Sequence, residues 1–297
     1  MNDARPEMQG TPLLSWSRMQ LLLRVILLIC VVSTPAIRAV AQEVEAIHLH
    51  LPGIGGKLPP DILMERGLIF AGVKAQIIID DWTGEQRGLS ALVNTNRHKF
   101  QSARIAKRIT ELRRAHPTAR ITVSGHSGGT GIVVWALSQL PEDVLIDDLI
   151  LVAPALSPGY DLSPALARVR GRCFSFNSLG DVAVLGAGTR TMGTIDRVKT
   201  DAAGRVGFTT PATTQDISQY AKLRQVYYQA EFLKLANNGE HMGAMMSPFA
   251  ARVLAPVILT GELPEWVKFT DGPVEAVVPA GEQTGSATQP SVVPAGS

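Results

Sequence analysis

The sequence predicts a three-layer α/β fold, a mainly parallel and minimal sheet with helices on both faces. Short apolar runs of strand length alternate with longer helix-like stretches from residue 45 to about residue 258, the pattern of strand–helix–strand units. Such alternation argues a parallel sheet covered by helices on both faces. The 297 residues, 45% hydrophobic and 18% charged, are enough for one sizeable core. No antiparallel strand pair is readable before residue 45, so the sheet is expected to be minimal.

Taken in order, the first element is a targeting segment. Met19 to Val32 is apolar apart from Gln20 and Arg24, Arg18 precedes it, and Pro35 and the small-x-small site Ala39-Val-Ala41 follow. The unbroken apolar run from Val25 is short for a bilayer span. Residues 1–41 therefore read as an export signal cleaved after Ala41. Arg38 beside the site keeps an uncleaved anchor over residues 19–35 as the alternative, and with it membrane association. Ile29 stands before Cys30 where a lipoprotein signal needs a small residue.

The folded domain spans 42–265. Strands are expected at 45–51, 76–80, 120–124, 148–153 and 172–177, and helices at 60–70, 98–115, 129–139, 162–168, 217–236 and 246–258. Leu223 to Tyr228 reads alternatively as a strand. From Asp271 the chain is rich in Pro, Ala, Gly, Ser and Thr without periodicity, so 271–297 is expected to be a disordered tail.

A net charge of +2 offers nucleic acid no bulk attraction. Basic residues do cluster locally: Arg97, Lys99, Arg104, Lys107, Arg108, Arg113 and Arg114 surround only Glu111, on a helix whose inner face carries Ile105, Ile109 and Leu112. A solvated face is the default reading, and binding of an anionic lipid or polymer the lesser one. Two cysteines make no disulfide framework, and Cys173, within a strand, reads as a small buried apolar residue.

The residues that carry chemistry begin at Gly125-His-Ser-Gly-Gly129, a G-x-S-x-G pattern. It directly follows the strand Ile121-Thr-Val-Ser124 and opens the helix-like Thr130-Gly-Ile-Val-Val-Trp-Ala-Leu137. Strand, tight glycine-flanked turn and helix are what make the pattern a nucleophile elbow rather than a turn with an ordinary N-cap serine. Ser127 is the candidate nucleophile. The acid and base of such sites follow the serine in that order. Of the histidines at 48, 50, 98, 116, 126 and 241, only His241 lies beyond Ser127, in the turn-rich Asn237-Asn-Gly-Glu-His-Met-Gly243.

Several acids lie between them. Asp147 and Asp148 precede their strand and so sit at its wrong end. Asp161 is the runner-up, and Asp196 and Asp201 lie too far along. Asp181 follows Arg172-Cys-Phe-Ser-Phe-Asn177 by a short loop, at the carboxyl end of a strand where such groups gather, and is the expected acid. Two backbone amides should bind the oxyanion: Gly128 after the nucleophile, and Ile54, with Gly55 next, in the loop Pro52-Gly-Ile-Gly-Gly56 after the first strand. Trp82 either lines the substrate pocket or packs in the core, the latter being favoured.

A rival reading starts at the same loop. Gly53-Ile-Gly55 with Asp80 closing the next strand imitates a dinucleotide-binding fingerprint, but Leu58 occupies the third glycine position and Pro59 and Pro60 follow. Gly56-Lys57 lacks the spacing of a phosphate-binding loop.

Together these residues resemble the α/β-hydrolase superfamily over roughly Val44 to Leu259. The stretches Leu151-Val-Ala-Pro-Ala-Leu-Ser-Pro-Gly-Tyr-Asp161, Gly188-Thr-Arg-Thr-Met-Gly-Thr-Ile-Asp196 and Ala203-Gly-Arg-Val-Gly-Phe208 look like those of exported or membrane-tethered bacterial serine hydrolases of lipase and esterase type. The resemblance implies hydrolysis of an ester-like bond, in a small molecule or a lipid, through an acyl-enzyme on Ser127 with no metal or cofactor. The loop after the first strand departs from the family, reading Pro-Gly-Ile where lipases and esterases commonly begin His-Gly. Two other readings use the same chain: a catalytically silent binding protein of the cell envelope, and an acyltransferase with the same triad.

Overall fold

The computed structural model describes residues 44–181 and 183–275. Compactness divides the chain into residues 1–43 and residues 44–297. The expected export signal therefore lies outside the described residues.

Seven strands form one sheet in the order β2-β1-β3-β4-β5-β6-β7. They are β1 (Ala46–Leu51), β2 (Gln76–Ile79), β3 (Arg120–His126), β4 (Asp148–Val152), β5 (Cys173–Phe176), β6 (Leu223–Val226) and β7 (Thr270–Asp271). All neighbours pair in parallel except β6 with β7. The parallel pairs put the exits of the six strands β1 to β6 at one edge, where the candidate site residues are expected.

Three helices frame the centre: α1 (Pro59–Phe70), α2 (Thr95–Ala115) and α3 (Gly128–Leu137). Helix α2 begins where the Asn94 side chain accepts from the Arg97 amide at 3.0 Å. It buries His98, Ser102, Ile105, Ile109 and Arg113, spaced three to four apart along one stripe. Alternation in the strands divides the core. Ile47, Leu49 and Leu51 of β1 with Ile121 and Val123 of β3 pack on the α2–α3 side. Met64 and Leu68 of α1 pack with Ile150, Val152, Phe174 and the C-terminal helical segment on the other. On that second side β1 and β3 carry His48, His50, Thr122, Ser124 and His126, all buried and all polar.

The basic stretch of α2 is largely used internally. Arg104 and Arg108 both grip Asp80, at 2.6 and 2.9 Å. Arg113 reaches Asp147 at 2.8 Å and the Ala119 carbonyl at 2.7 Å. Arg97 donates to the Trp82 and Thr83 carbonyls. Asp80, which ends the imitation dinucleotide fingerprint, is thereby committed to an ion-pair network.

The expected helix over 217–236 is replaced by two 3₁₀ turns, Ile217–Lys222 and Ala230–Leu235, with strand β6 between them. The alternative strand reading is the one adopted there. β5 offers Leu223–Val226 a complete parallel ladder, and Leu223, Gln225 and Val226 are buried in it. The last helix is interrupted: Ser247–Phe249 and Ala255–Thr260 flank a π-helical turn over Ala250–Leu254. Pro256, at the start of the second piece, cannot donate to the preceding turn. Helices at Leu89–Val93, Thr189–Met192 and Ala203–Val206 were not expected. Residues 271–275, the first of the expected tail, are held in the fold: Asp271 pairs with Arg224 in the β6–β7 ladder and the Val274 amide donates to the Phe208 carbonyl at 2.9 Å. The remainder of that tail lies outside the described residues. Among the described residues no helix is long and apolar enough to cross a membrane.

Candidate active site

Ser127 stands between β3 and α3 with φ 52° and ψ −124°, a left-handed backbone that a non-glycine residue adopts only when its surroundings enforce it. The enforcement comes from close backbone approach on both sides. A Cβ on Gly125 would lie 2.8 Å from Thr130 backbone atoms, and one on Gly129 would meet the Leu51 carbonyl oxygen at 2.5 Å and that of Pro52 closer still. A side chain at either position would push α3 off the sheet. The Ser127 amide is fixed to the Val152 carbonyl at 2.9 Å, and Thr130 Oγ1 donates to the Ser127 carbonyl at 2.5 Å.

The two amides expected to bind an oxyanion are neighbours. The Ile54 nitrogen lies 3.7 Å from where a Gly128 Cβ would be. Gly128 is the first residue of α3, so its N–H has no intrahelical partner. The peptide that carries the Ile54 N–H is held through its Gly53 carbonyl, which accepts from the Gly56 amide at 3.0 Å, and the next peptide through the Ile54 carbonyl, which accepts from the Gly88 amide at 2.7 Å. Trp82 is fully buried in the core and donates its indole N–H to the Pro52 carbonyl at 2.7 Å, fastening the start of the same loop.

His241 Nδ1 is hydrogen-bonded to the carboxylate of Asp181, whose side chain is 3% exposed. The loops that carry the two are joined, the Gly180 amide donating to the Gly239 carbonyl at 3.1 Å. A carboxylate accepts only, so Nδ1 carries the imidazole proton and Nε2 is left as the acceptor. The Ser127 hydroxyl makes no direct hydrogen bond to His241 among the described residues. The link between Ser127 and His241 runs through the neighbouring residue, His126. Its Nε2 donates to the His241 carbonyl at 3.1 Å, and the two rings lie 4.9 Å apart. Burial, with a smaller contribution from His241, pushes the His126 imidazole down to about 3, so it stays neutral and holds the His241 loop as a fixed donor.

The other acids are engaged elsewhere. Asp161 accepts from the Ser163 and Gln215 amides and from Thr214 Oγ1 at 2.9–3.0 Å. Burial alone would raise its carboxyl, but these hydrogen bonds hold it below the usual carboxylate range. Asp196 accepts from both the amide and the hydroxyl of Ser157, and Asp201 bridges Arg190 and Arg205. Cys173 is buried, which pushes its thiol far up and leaves it unreactive. Among the described residues no group of three His, Cys, Asp or Glu side chains is placed to hold a metal ion.

Sequence reasoning missed the part played by His126, since the variable position of the G-x-S-x-G pattern carries no signal for it. It missed a second cluster too. His50 Nε2 bonds Asp61 Oδ1 at 3.0 Å, His50 Nδ1 bonds Ser124 Oγ at 2.7 Å, and Ser124 Oγ bonds His48 Nε2 at 3.1 Å. Beside the elbow, Ile195 packs against Gly128 and Gly131 and forms one wall of a cavity of about 820 Å³ that also takes in Trp135 and Tyr160.

A parallel sheet of this order, entered by a strand–serine–helix elbow and carrying an acid–imidazole pair on later loops, defines an α/β-hydrolase fold. Residues 62–199 match a family described as "Alpha/beta hydrolase of unknown function (DUF900)", in keeping with that fold. Among solved structures it is similar to an acetylxylan esterase, with 13% identity and a TM-score of 0.43 over 74% of this chain and 100% of that one. It is similar to a Trichoderma reesei cutinase in complex with a phosphonate inhibitor, with 15% identity and a TM-score of 0.33 over 55% and 77%. Aspergillus fumigatus lipase B is 13% identical, with a TM-score of 0.39 over 77% of this chain and 54% of its own. No curated protein sequence matches the chain significantly.

Proposed function

We propose that this protein is a serine hydrolase that cleaves an ester-like bond through an acyl-enzyme on Ser127. The observation that carries the reading is the Asp181–His241 hydrogen bond, made by two loops that leave the same sheet edge as the strained Ser127 turn. In the reaction, Ser127 Oγ attacks the acyl carbonyl and its proton passes to His241 Nε2. Asp181 holds the Nδ1 proton throughout and stabilises the imidazolium. The Gly128 and Ile54 amides bind the oxyanion. His241 then returns its proton to the departing alcohol oxygen, and a water activated by the same imidazole releases the acid. The cavity beyond Ile195, walled by Trp135 and Tyr160, accommodates the apolar part of the substrate. The apolar segment before Ala41 exports the protein, and intact mass of protein recovered from the cell envelope tests this: a species retaining residues 1–41 would replace cleavage by anchoring.

The experiment that tests the activity is hydrolysis of a chain-length series of p-nitrophenyl esters by the wild type and Ser127→Ala. Loss of the attacking oxygen should reduce kcat by on the order of 10³-fold or more, with circular dichroism unchanged. A folded Ser127→Ala protein with near-wild-type turnover refutes the reading.

A further inference from the structure

The buried cluster on the α1 side of the sheet is a directed hydrogen-bond chain. Asp61 is its fixed end. Asp61 Oδ2 accepts from the Leu58 amide at 2.7 Å and Oδ1 from His50 Nε2, so both oxygens face N–H groups. Burial alone would raise this carboxyl, yet the bonds from His50 and the Leu58 amide hold it below the ordinary carboxylate range. With its proton on Nε2 facing Asp61, His50 presents Nδ1 as an acceptor to the Ser124 hydroxyl. Ser124 Oγ then accepts from His48 Nε2. Burial pushes His48 down to about 3, with His50 adding to it, so its ring is neutral, and its Nδ1 has no partner among the described residues. None of the four residues is more than 3% exposed.

The members of this chain are placed where the site is assembled. His50 is four residues before Ile54, and Asp61 is seven after it, so the 3.0 Å bond between them closes the loop that carries the Ile54 amide. Ser124 is three residues before Ser127 on β3 and pairs in register with His50. One chain of hydrogen bonds therefore ties both ends of the amide-bearing loop to the strand that delivers the nucleophile. Side chains that served only to fill the core would be apolar, since buried polar groups bring packing no gain and cost stability unless all are satisfied.

We propose that Asp61, His50 and Ser124 are positioning residues, which fix the loop Pro52–Leu58 so that the Ile54 amide stands against Gly128. Their consequence for catalysis rests on the reading of Ser127 as nucleophile, whereas their consequence for the loop does not. Asp61→Asn retains an oxygen for the Leu58 amide and offers His50 Nε2 a donor. The ring then carries its proton on Nδ1 and every bond reverses with the tie intact. Asp61→Ala removes the tie, and Ser124→Ala cuts the chain in its middle with the smallest change in volume.

The test combines amide hydrogen exchange by mass spectrometry with steady-state hydrolysis of p-nitrophenyl acetate. Asp61→Ala and Ser124→Ala should accelerate exchange across residues 52–58 on the order of tenfold, leaving exchange in β4 and β5 unchanged. Their kcat should fall on the order of tenfold to a hundredfold with KM within about twofold, because a displaced oxyanion donor is missed in the transition state rather than in the ground state. Asp61→Asn should restore both readouts to within about threefold of wild type. Wild-type exchange in the loop together with unchanged kcat, in either folded variant, overturns the proposal. A wild type that hydrolyses no ester and is not phosphonylated at Ser127 by a fluorophosphonate defeats the proposed function instead, and the exchange of residues 52–58 still decides the positioning role.

Discussion

Replacing Asp181 by Asn exchanges one carboxylate oxygen for an amide nitrogen and should nearly abolish turnover. In the wild type the carboxylate accepts the His241 Nδ1 proton, which leaves Nε2 as an acceptor, the role the proposed reaction needs. An Asn side chain in the same place donates an N–H toward Nδ1 and moves the imidazole proton to Nε2, where it blocks the acceptor. The carboxylate side chain is 3% exposed and that of His241 14%, so little water is available to compensate. The imidazolium formed on attack also loses its counter-charge in this low-dielectric setting. The two effects together predict a fall in kcat of about 10³- to 10⁴-fold, or roughly 4–5 kcal/mol of transition-state stabilisation. Since neither effect touches the bound ester, KM should change little. Asp161→Asn is the matched comparison: its carboxylate closes the turns at Ser163 and at Thr214-Gln215, so its loss should lower thermal stability and leave kcat within about twofold. Initial rates with a p-nitrophenyl ester measure both. A folded Asp181→Asn enzyme within tenfold of wild type, or the reverse ranking of the two variants, would refute the reasoning.

Fluorophosphonate labelling of Ser127 should be nearly lost in His241→Ala, whereas in His126→Ala labelling should persist, reduced by loosening of the His241 loop; undiminished labelling in His241→Ala with loss in His126→Ala would move the base to His126. Stability should fall as pH drops below about 6.5. His48 and His126 are both pushed down to about 3 in the fold, so between 6.5 and 3 the unfolded chain binds more protons than the folded one. Stability is fully present above the unfolded value and is lost toward the folded one, by up to about 1.4 kcal/mol per pH unit for each ring. Urea unfolding at pH 6.5, 5.5 and 4.5 measures this, and His48→Gln should flatten the slope by about half. A stability independent of pH across that window would show that neither ring is held neutral.

Five strands of the sheet and the elbow were legible in the sequence because their causes are local. β1 and β3 alternate apolar with other residues over strand length, β4 carries the apolar run Leu149-Ile-Leu-Val152, and the glycines at 125, 128 and 129 mark a turn whose neighbours must come close. Asp181 was singled out by its place at a strand exit and His241 by chain order alone, and the fold brings the two into contact. β6 was ambiguous because Leu-Arg-Gln-Val has no pattern that separates a strand from a helix until β5 presents its edge. β7, with two residues, has no periodicity at all.

The charges of α2 illustrate the division most plainly. Composition along that helix shows seven cations and one anion, which reads as a face turned outward. In the fold, Asp80 and Asp147 come from strand ends 24 to 34 residues away and neutralise three of those cations. The sequence by itself determined the layered fold, the strained serine turn and the order of candidate catalytic groups, because each depends on the spacing of residues a few positions apart. Only the tertiary structure decided that His241 meets Asp181, 60 residues away, that His126 holds the His241 loop across 115, and that Asp61, His50, Ser124 and His48 form one chain. Those contacts exist because parallel pairing brings distant strand exits to one edge, and no local pattern records which side chains will meet there.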